Sequence, residues 1–137
     1  MRLSHVHAIV KWLDNFEKVQ TCGKGATGTV YELLHKANGQ RYAMKEMIIT
    51  NKSQMQMAVH ESEMLKEIME NIAHPNIMHI ERVFQVGSTF HLVFPLCTGG
   101  ELYDRIVKRG HFTENDAANL MRDIISGLHA LHCHGKI

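Results

Sequence analysis

Cysteine, proline and tryptophan are scarce in this chain of 137 residues, which holds three, two and one of them. Three cysteines (Cys22, Cys97, Cys133) are an odd and widely spaced set, so a disulfide framework of the kind that staples small secreted domains is excluded. Two prolines beside ten glycines exclude collagen-like and Pro/Gly low-complexity structure. Neither sign of charge is in excess, since 15 Lys and Arg stand against 14 Asp and Glu. Nothing in that balance draws the chain to nucleic acid or to an anionic membrane. No apolar run approaches the roughly 18 residues needed to span a bilayer. The segment Met1–His7 does not read as a signal peptide, because Lys11 and Asp14 break the apolar stretch behind it. Arg2 stands where N-myristoylation needs glycine. The expectation is a soluble cytoplasmic chain with no nucleic-acid or membrane partner.

What is present is ordinary for one globular domain: 45% hydrophobic and 21% charged residues. Histidine is the exception, with 11. His129, His132, Cys133 and His134 crowd the end of an apolar helical pattern and invite a metal reading. Sequence neighbours on a helix point in different directions, however, so no metal site is expected there.

The pattern changes character along the chain. Residues 1–15 form a weakly amphipathic lead-in, read as helical, that carries the only tryptophan, Trp12. Phe16–Gln20 alternates apolar and polar and predicts a strand that runs into the glycine-rich segment Gly23–Gly28. Thr29–Leu34 and Arg41–Met47 predict two further strands joined by a tight turn at Asn38-Gly39. The first three strands thus make an antiparallel meander. Met57, Glu61, Met64, Leu65, Ile68 and Ile72 recur at helical spacing and predict a helix over 53–72, stopped by His74-Pro75. Strands follow at Ile80–Val86 and Thr89–Phe94 with a turn at Gly87-Ser88. A short helix spans Glu101–Val107 and is ended by Gly110. Thr113 then opens a last helix as N-cap, with Asp116 three residues on. Leu120, Met121, Ile124, Ile125, Leu128 and Leu131 give that helix a wide apolar face. The fold class expected is α+β.

Gly23-x-Gly25-x-x-Gly28 is weak evidence by itself. A dinucleotide fingerprint needs a helix after the glycines, and here a strand follows. A Walker A loop needs Gly-Lys-Ser/Thr, which is absent. A glycine-rich β-hairpin does another job: without Cβ atoms its backbone approaches phosphate oxygens closely and donates N–H groups to them. Lys45, one strand away at about 4.8 Å spacing, supplies the cation, and a carboxylate must hold it. Glu61, Glu63, Glu67 and Glu70 on the predicted helix are the candidates.

At these positions the chain resembles the eukaryotic protein kinases. The glycine segment Gly23–Val30 and Tyr42-Ala43-Met44-Lys45 match the family's glycine-loop and V-A-I-K signatures. His74-Pro75-Asn76-Ile77, the hinge-like Leu92–Cys97 and Gly99-Gly100-Glu101-Leu102 add to the match. The stretch Gly99–Gly110 is most similar to calcium-dependent and calcium/calmodulin-dependent Ser/Thr kinases. The resemblance implies a small lobe over 16–94, with a five-stranded antiparallel sheet and one helix. A hinge at 95–100 and the first two helices of a large lobe over 101–137 would follow.

It also implies an ATP site. The glycines Gly23, Gly25 and Gly28 would cover the phosphates, and Lys45 would contact the α- and β-phosphates. Val30 and Ala43 would sandwich the adenine under Cys22, where the family has Leu or Ile. Phe94 would guard the back of the pocket. The Pro95 carbonyl and the Cys97 N–H would bond the adenine edge, and Glu101 the ribose. Glu61 best fits the family's Glu-x-x-hydrophobic-hydrophobic pattern as partner of Lys45, with Glu63 as the alternative. Mg²⁺ is expected for a complete domain, and a protein hydroxyl as the acceptor substrate.

These residues do not contain the H-R-D-L-x-x-x-N catalytic loop or D-F-G. Arg122-Asp123 lies inside the last helix with no asparagine at the needed offset. No catalytic residue and no Mg²⁺ ligand is therefore assigned, and the chain is expected to be an inactive fragment of a kinase domain. The rival reading is a non-catalytic kinase-like scaffold. Calcium or calmodulin control is analogy only, because no EF-hand loop pattern occurs.

Overall fold

The computed structural model describes residues 11–136. The start of the lead-in, with the leader-peptide and myristoylation readings, lies outside the described residues. Strands β1 (Phe16–Gly25), β2 (Gly28–His35) and β3 (Arg41–Ile48) come first, followed by helix α1 (Lys52–Asn71). The hairpin of β4 (Arg82–Val86) and β5 (Thr89–Pro95) precedes α2 (Leu102–Arg109) and α3 (Glu114–Cys133). All neighbours in the sheet are antiparallel, in the order β1-β2-β3-β5-β4. This is the expected α+β architecture.

The glycine segment belongs to the sheet rather than to a loop beyond it. β1 runs on to Gly25, Gly23 pairs with Val30 and Gly25 with Gly28, so only Ala26-Thr27 is left to turn. Glycine weakens a strand entropically, but here the β2 ladder carries the segment. Gly28 has to be glycine for a steric reason: a Cβ there would sit 2.2 Å from the Glu46 carbonyl oxygen of β3. The register slips between Lys18 and Gln20 and again between Thr21 and Gly23, leaving Val19 and Cys22 without partners. Such bulges re-aim the side chains that they carry.

Smaller departures have local causes. Of Asn38-Gly39 only Gly39 has positive φ (+69°), so the connection is a wider loop closed by the Gly39 N–H on the His35 carbonyl at 2.9 Å. β4 starts at Arg82 rather than Ile80, although Ile80 is buried and the Glu81 N–H donates to the Val93 carbonyl at 2.9 Å.

Both faces of the sheet are packed. On one, Phe16, Leu33, Met44, Phe84 and Val93 form a buried cluster. Trp12 from the lead-in closes it, with ring centroids 4.4 Å from Phe16 and 5.7 Å from Phe84. On the other, Met47, Phe90 and Leu92 pack under α1. The helix meets them through Met55, Ala58, Val59 and Leu65, with Ser62 also buried. Met57 and Met64, two of the residues whose spacing marks the helix, are exposed. Small residues at 58 and 62 let the helix lie close to the strands, and the bulkier methionines fall beside that seam.

Asn51 caps α1 by accepting from the Gln54 N–H at 2.9 Å. Thr113 and Asp116 form the reciprocal capping box expected for α3. Gly110, at φ +65°, ends α2. α3 touches the segment after α1 at one seam: a Cβ on Gly127 would lie 2.9 Å from the Asn76 carbonyl oxygen, and Ser126 Oγ is 3.1 Å from His74 Nε2.

Candidate functional site

Strand register gathers the candidate residues into two rows. Gly23, Val30, Lys45 and Leu92 are successive cross-strand partners on β1, β2, β3 and β5. Gln20, Glu32, Ala43 and Phe94 form the next row on the same face, because strand side chains alternate with period two. That face is the one α1 covers, and the helix brings a carboxylate to the ammonium. Lys45 Nζ donates to Glu61 Oε1 at 2.7 Å, with both side chains mostly shielded. Glu63, two residues on, is turned about 200° round the helix and is exposed. An ion pair with this much solvent access stabilises the fold by roughly 0–1 kcal/mol. Its consequence is positional: it holds an otherwise wandering ammonium beneath the glycine hairpin.

Two cavities border the candidate residues. The first, of about 220 Å³, lies between the hairpin and the helix, lined by the Lys24–Thr29 segment, Met47, Ala58 and Glu61 among others. It contains Gly25 and Gly28. Around Gly23 nothing lies within 4 Å of where a Cβ would be, so its backbone faces open space. The second cavity, of about 270 Å³, is bounded by Cys22, Ala43, Met78, Phe94, Pro95, Leu96 and Cys97. Five of the residues singled out from the sequence thus share one wall system. Val30 and Lys45 line neither cavity, and Glu101 stands apart, exposed at the N-cap of α2 without a capping bond. The open hairpin and the apolar slot fit a purine nucleotide: carbon walls for a flat base, backbone and ammonium for an anionic tail.

Among the described residues no three His, Cys, Asp or Glu side chains gather as a metal site. Cys133 Sγ meets His129 Nε2 at 3.5 Å and nothing further joins them. These residues do not make a Mg²⁺ site, so no step is assigned to the metal.

Several neighbours escaped the sequence reading. Met78 lines the second cavity with no spacing signal to mark it, and Leu96, on the same wall, belongs to the hinge-like segment without a role of its own in the sequence. Glu32 is buried and receives Gln20 Nε2 at 2.7 Å and Arg41 Nη1 at 2.5 Å. The Gln20 bond, then the Arg41 bond and charge, hold its carboxyl below the usual range against the opposing effect of burial. On the opposite face Glu46 receives Lys18 Nζ at 2.8 Å and lies 3.4 Å from the buried His91 Nε2. Burial pushes the His91 pKa down, Glu46 pulls it up, and Lys18 pushes it down again.

Comparison with known proteins bears on the whole arrangement. The protein kinase domain family matches residues 16–137. Calcium-dependent protein kinase 12 of Arabidopsis thaliana is 37% identical over 127 residues, covering 90% of this chain and 25% of that kinase. Myosin light chain kinase A of Dictyostelium discoideum is 37% identical over 118 residues, covering 85% of this chain and 39% of that protein. The chain therefore spans well under half the length of these curated relatives. The crystal structure of Rad53 1-466 in complex with AMP-PNP shares the fold, with a TM-score of 0.72 at 22% identity over 90% of this chain and 32% of the other. A glycine hairpin over a lysine–glutamate pair, and a match running from Phe16 to the last residue, have one explanation: this chain belongs to the protein kinase family.

Proposed function

We propose that these residues bind ATP in the manner laid out by the two rows, as the nucleotide-binding part of a Ser/Thr protein kinase. The observation that carries the reading is the 2.7 Å Lys45–Glu61 pair in register with Gly23 and Val30. ATP, when bound, supplies the phosphoryl group for transfer to a protein hydroxyl. The chain's own residues bind and orient it. Hairpin N–H groups and Lys45 hold the phosphates, and Glu61 holds Lys45. Val30 and Ala43 enclose the adenine beneath Cys22, and Phe94 closes the back. The Pro95 carbonyl accepts from the base, and the Cys97 N–H donates to it. Glu101, set apart at the head of α2, serves the ribose only if the ligand spans that gap.

The boundaries proposed are a small lobe over 16–94, a hinge at 95–100, and the opening helices of a large lobe beyond. By themselves these residues are proposed to bind nucleotide without turnover, since they include neither H-R-D nor D-F-G. Calcium control is proposed only by analogy with the calcium-dependent kinases that the chain resembles. Three exposed, unpaired cysteines fit a reducing compartment such as the cytoplasm.

Thermal denaturation with AMP-PNP tests the reading. Ligand at about 100 times its Kd stabilises by about 2.7 kcal/mol, and Lys45→Met is expected to abolish most of that gain with the circular dichroism unchanged. An equal shift in the variant would refute the phosphate role. The scaffold alternative draws on the exposed apolar residues of α3. It would be favoured by a chain that binds no nucleotide at all.

A further inference from the structure

The open face of α3 carries a row spaced alternately by four and three residues: Glu114, Ala118, Met121, Ile125, Leu128 and His132. That is the spacing at which one helix seats its side chains against another. All six are exposed, Ile125 more than half. Gly127 and Leu120, which face Asn76 and α2, lie about a third of a turn round the helix, so those contacts leave the row uncovered. The row also matches its own reversal. Read from both ends towards the middle, an acid meets a histidine, the smallest side chain meets a leucine, and a methionine meets an isoleucine. Only a two-fold copy uses that property, because a two-fold interface sets each position against its mirror position.

We propose that this row is a self-association surface, on which α3 packs antiparallel against α3 of a second copy about a two-fold axis level with Asp123. Glu114 of each copy then faces His132 of the other, Ala118 faces Leu128, and Met121 faces Ile125. The Glu114 carboxylate accepts from the imidazole N–H, and the start of each helix lies beside the end of the other, where their dipoles attract. Leu128 fills the room that Ala118 leaves. Parallel packing would instead set Glu114 against Glu114 and Leu128 against Leu128, with a gap between two alanines. Arg122, at the edge of the row near the axis, turns its guanidinium back on Asn119 Oδ1 at 2.7 Å. A contact one helix wide is small for a specific interface, so a Kd on the order of 100 µM is expected, and the dilute chain is monomeric.

Sedimentation equilibrium of the full chain, at concentrations spanning that Kd, tests the surface. Reductant is kept present so that the exposed Cys133 forms no disulfide between copies. A monomer–dimer equilibrium is expected. Ile125→Asp sets carboxylates beside the axis and should abolish it. His132→Glu opposes Glu114 with a second carboxylate, and Glu114→Lys removes the acceptor; each should weaken the dimer roughly tenfold. Mixed together, these two single variants should recover the dimer. The introduced lysine then faces the introduced glutamate, and the Glu114 kept by one copy faces the His132 kept by the other. Recovery on mixing is something that damage to the fold could not produce. A chain that stays monomeric throughout, its row left to another segment or partner, would overturn the proposal. So would a dimer that persists in Ile125→Asp, or single variants that stay apart when mixed.

Discussion

The sheet with α1 and the pair α2–α3 use the same kinds of apolar residue and treat them oppositely. Leu92 and Val93 are wholly buried, and Leu33 and Met44 nearly so. In α2 no residue is buried, and in α3 only Gly127 is, while Tyr103, Val107 and Ile125 are each more than half exposed. The difference is not in pattern, since α3 has as clear an apolar stripe as any strand. It lies in whether a second surface is present to receive the stripe. The sheet has two, Trp12 and its neighbours on one face and α1 on the other. Among the described residues α3 meets the rest at the Gly127–Asn76 seam and beside α2, where Leu120 shares a cavity wall with Leu102, Ile106 and Phe112, and most of its stripe stays exposed. Amphipathic periodicity specifies which face seeks burial, and burial itself is a property of pairs of elements.

The largest expected effect sharpens that contrast directly. Leu92→Ala should cost about 2–5 kcal/mol in denaturant unfolding, as for a fully buried leucine, whereas Leu128→Ala should stay within about 0.5 kcal/mol. Comparable losses would erase the distinction between the two regions. Native-state hydrogen exchange should agree, with amides of β3 and β5 protected well beyond those of α3.

Acidification is the next lever, and it acts on the sheet. His91 is buried between Phe84, whose ring stacks on it at 4.7 Å, and the Glu46–Lys18 pair. Its pKa is lowered from 6.5 by burial, opposed by Glu46 and aided by Lys18. A histidine kept neutral in the fold binds more protons when unfolded. Stability is therefore expected to be complete above pH 6.5 and to decline as pH falls below it through the lowered folded value. His91→Phe should flatten this decline. A midpoint of unfolding with the same pH dependence in the variant would place the titration elsewhere.

The smallest effect belongs to the helical side. Thr113→Ala removes the capping box of α3 and should cost about 1 kcal/mol of local helix stability. It should appear as faster exchange in the first turn of α3 while the sheet is unmoved. Spread of the effect into β3 or β5 would mean that the two regions unfold together.

Much of the fold was legible because its signals are local. Gly87-Ser88 marked the second hairpin, Thr113 and Asp116 the start of α3, and Gly110 the end of α2, each through backbone geometry that only certain residues satisfy. The glycine segment and Lys45 were legible for a related reason: few arrangements need three glycines and a lysine at that spacing. The inner face of α1 is not legible in the spacing, because its methionines outweigh Ala58 and Ser62 in hydrophobicity, whereas close packing on a sheet favours small side chains. The Glu32 and Glu46–His91 networks depend on residues 9 to 45 positions apart and the Met78 wall on residues spread from Cys22 to Cys97, so none leaves a periodic trace.

By itself, then, the amino-acid order determined the elements, their turns and caps, and the identity of the groups proposed for phosphate binding, since each is a short-range matter of dihedral freedom and side-chain chemistry. Only the tertiary structure decided which carboxylate meets Lys45, where the bulge turns Cys22, and which apolar faces are covered. Those outcomes follow from strand register and helix rotation, which are settled by packing over the whole sheet.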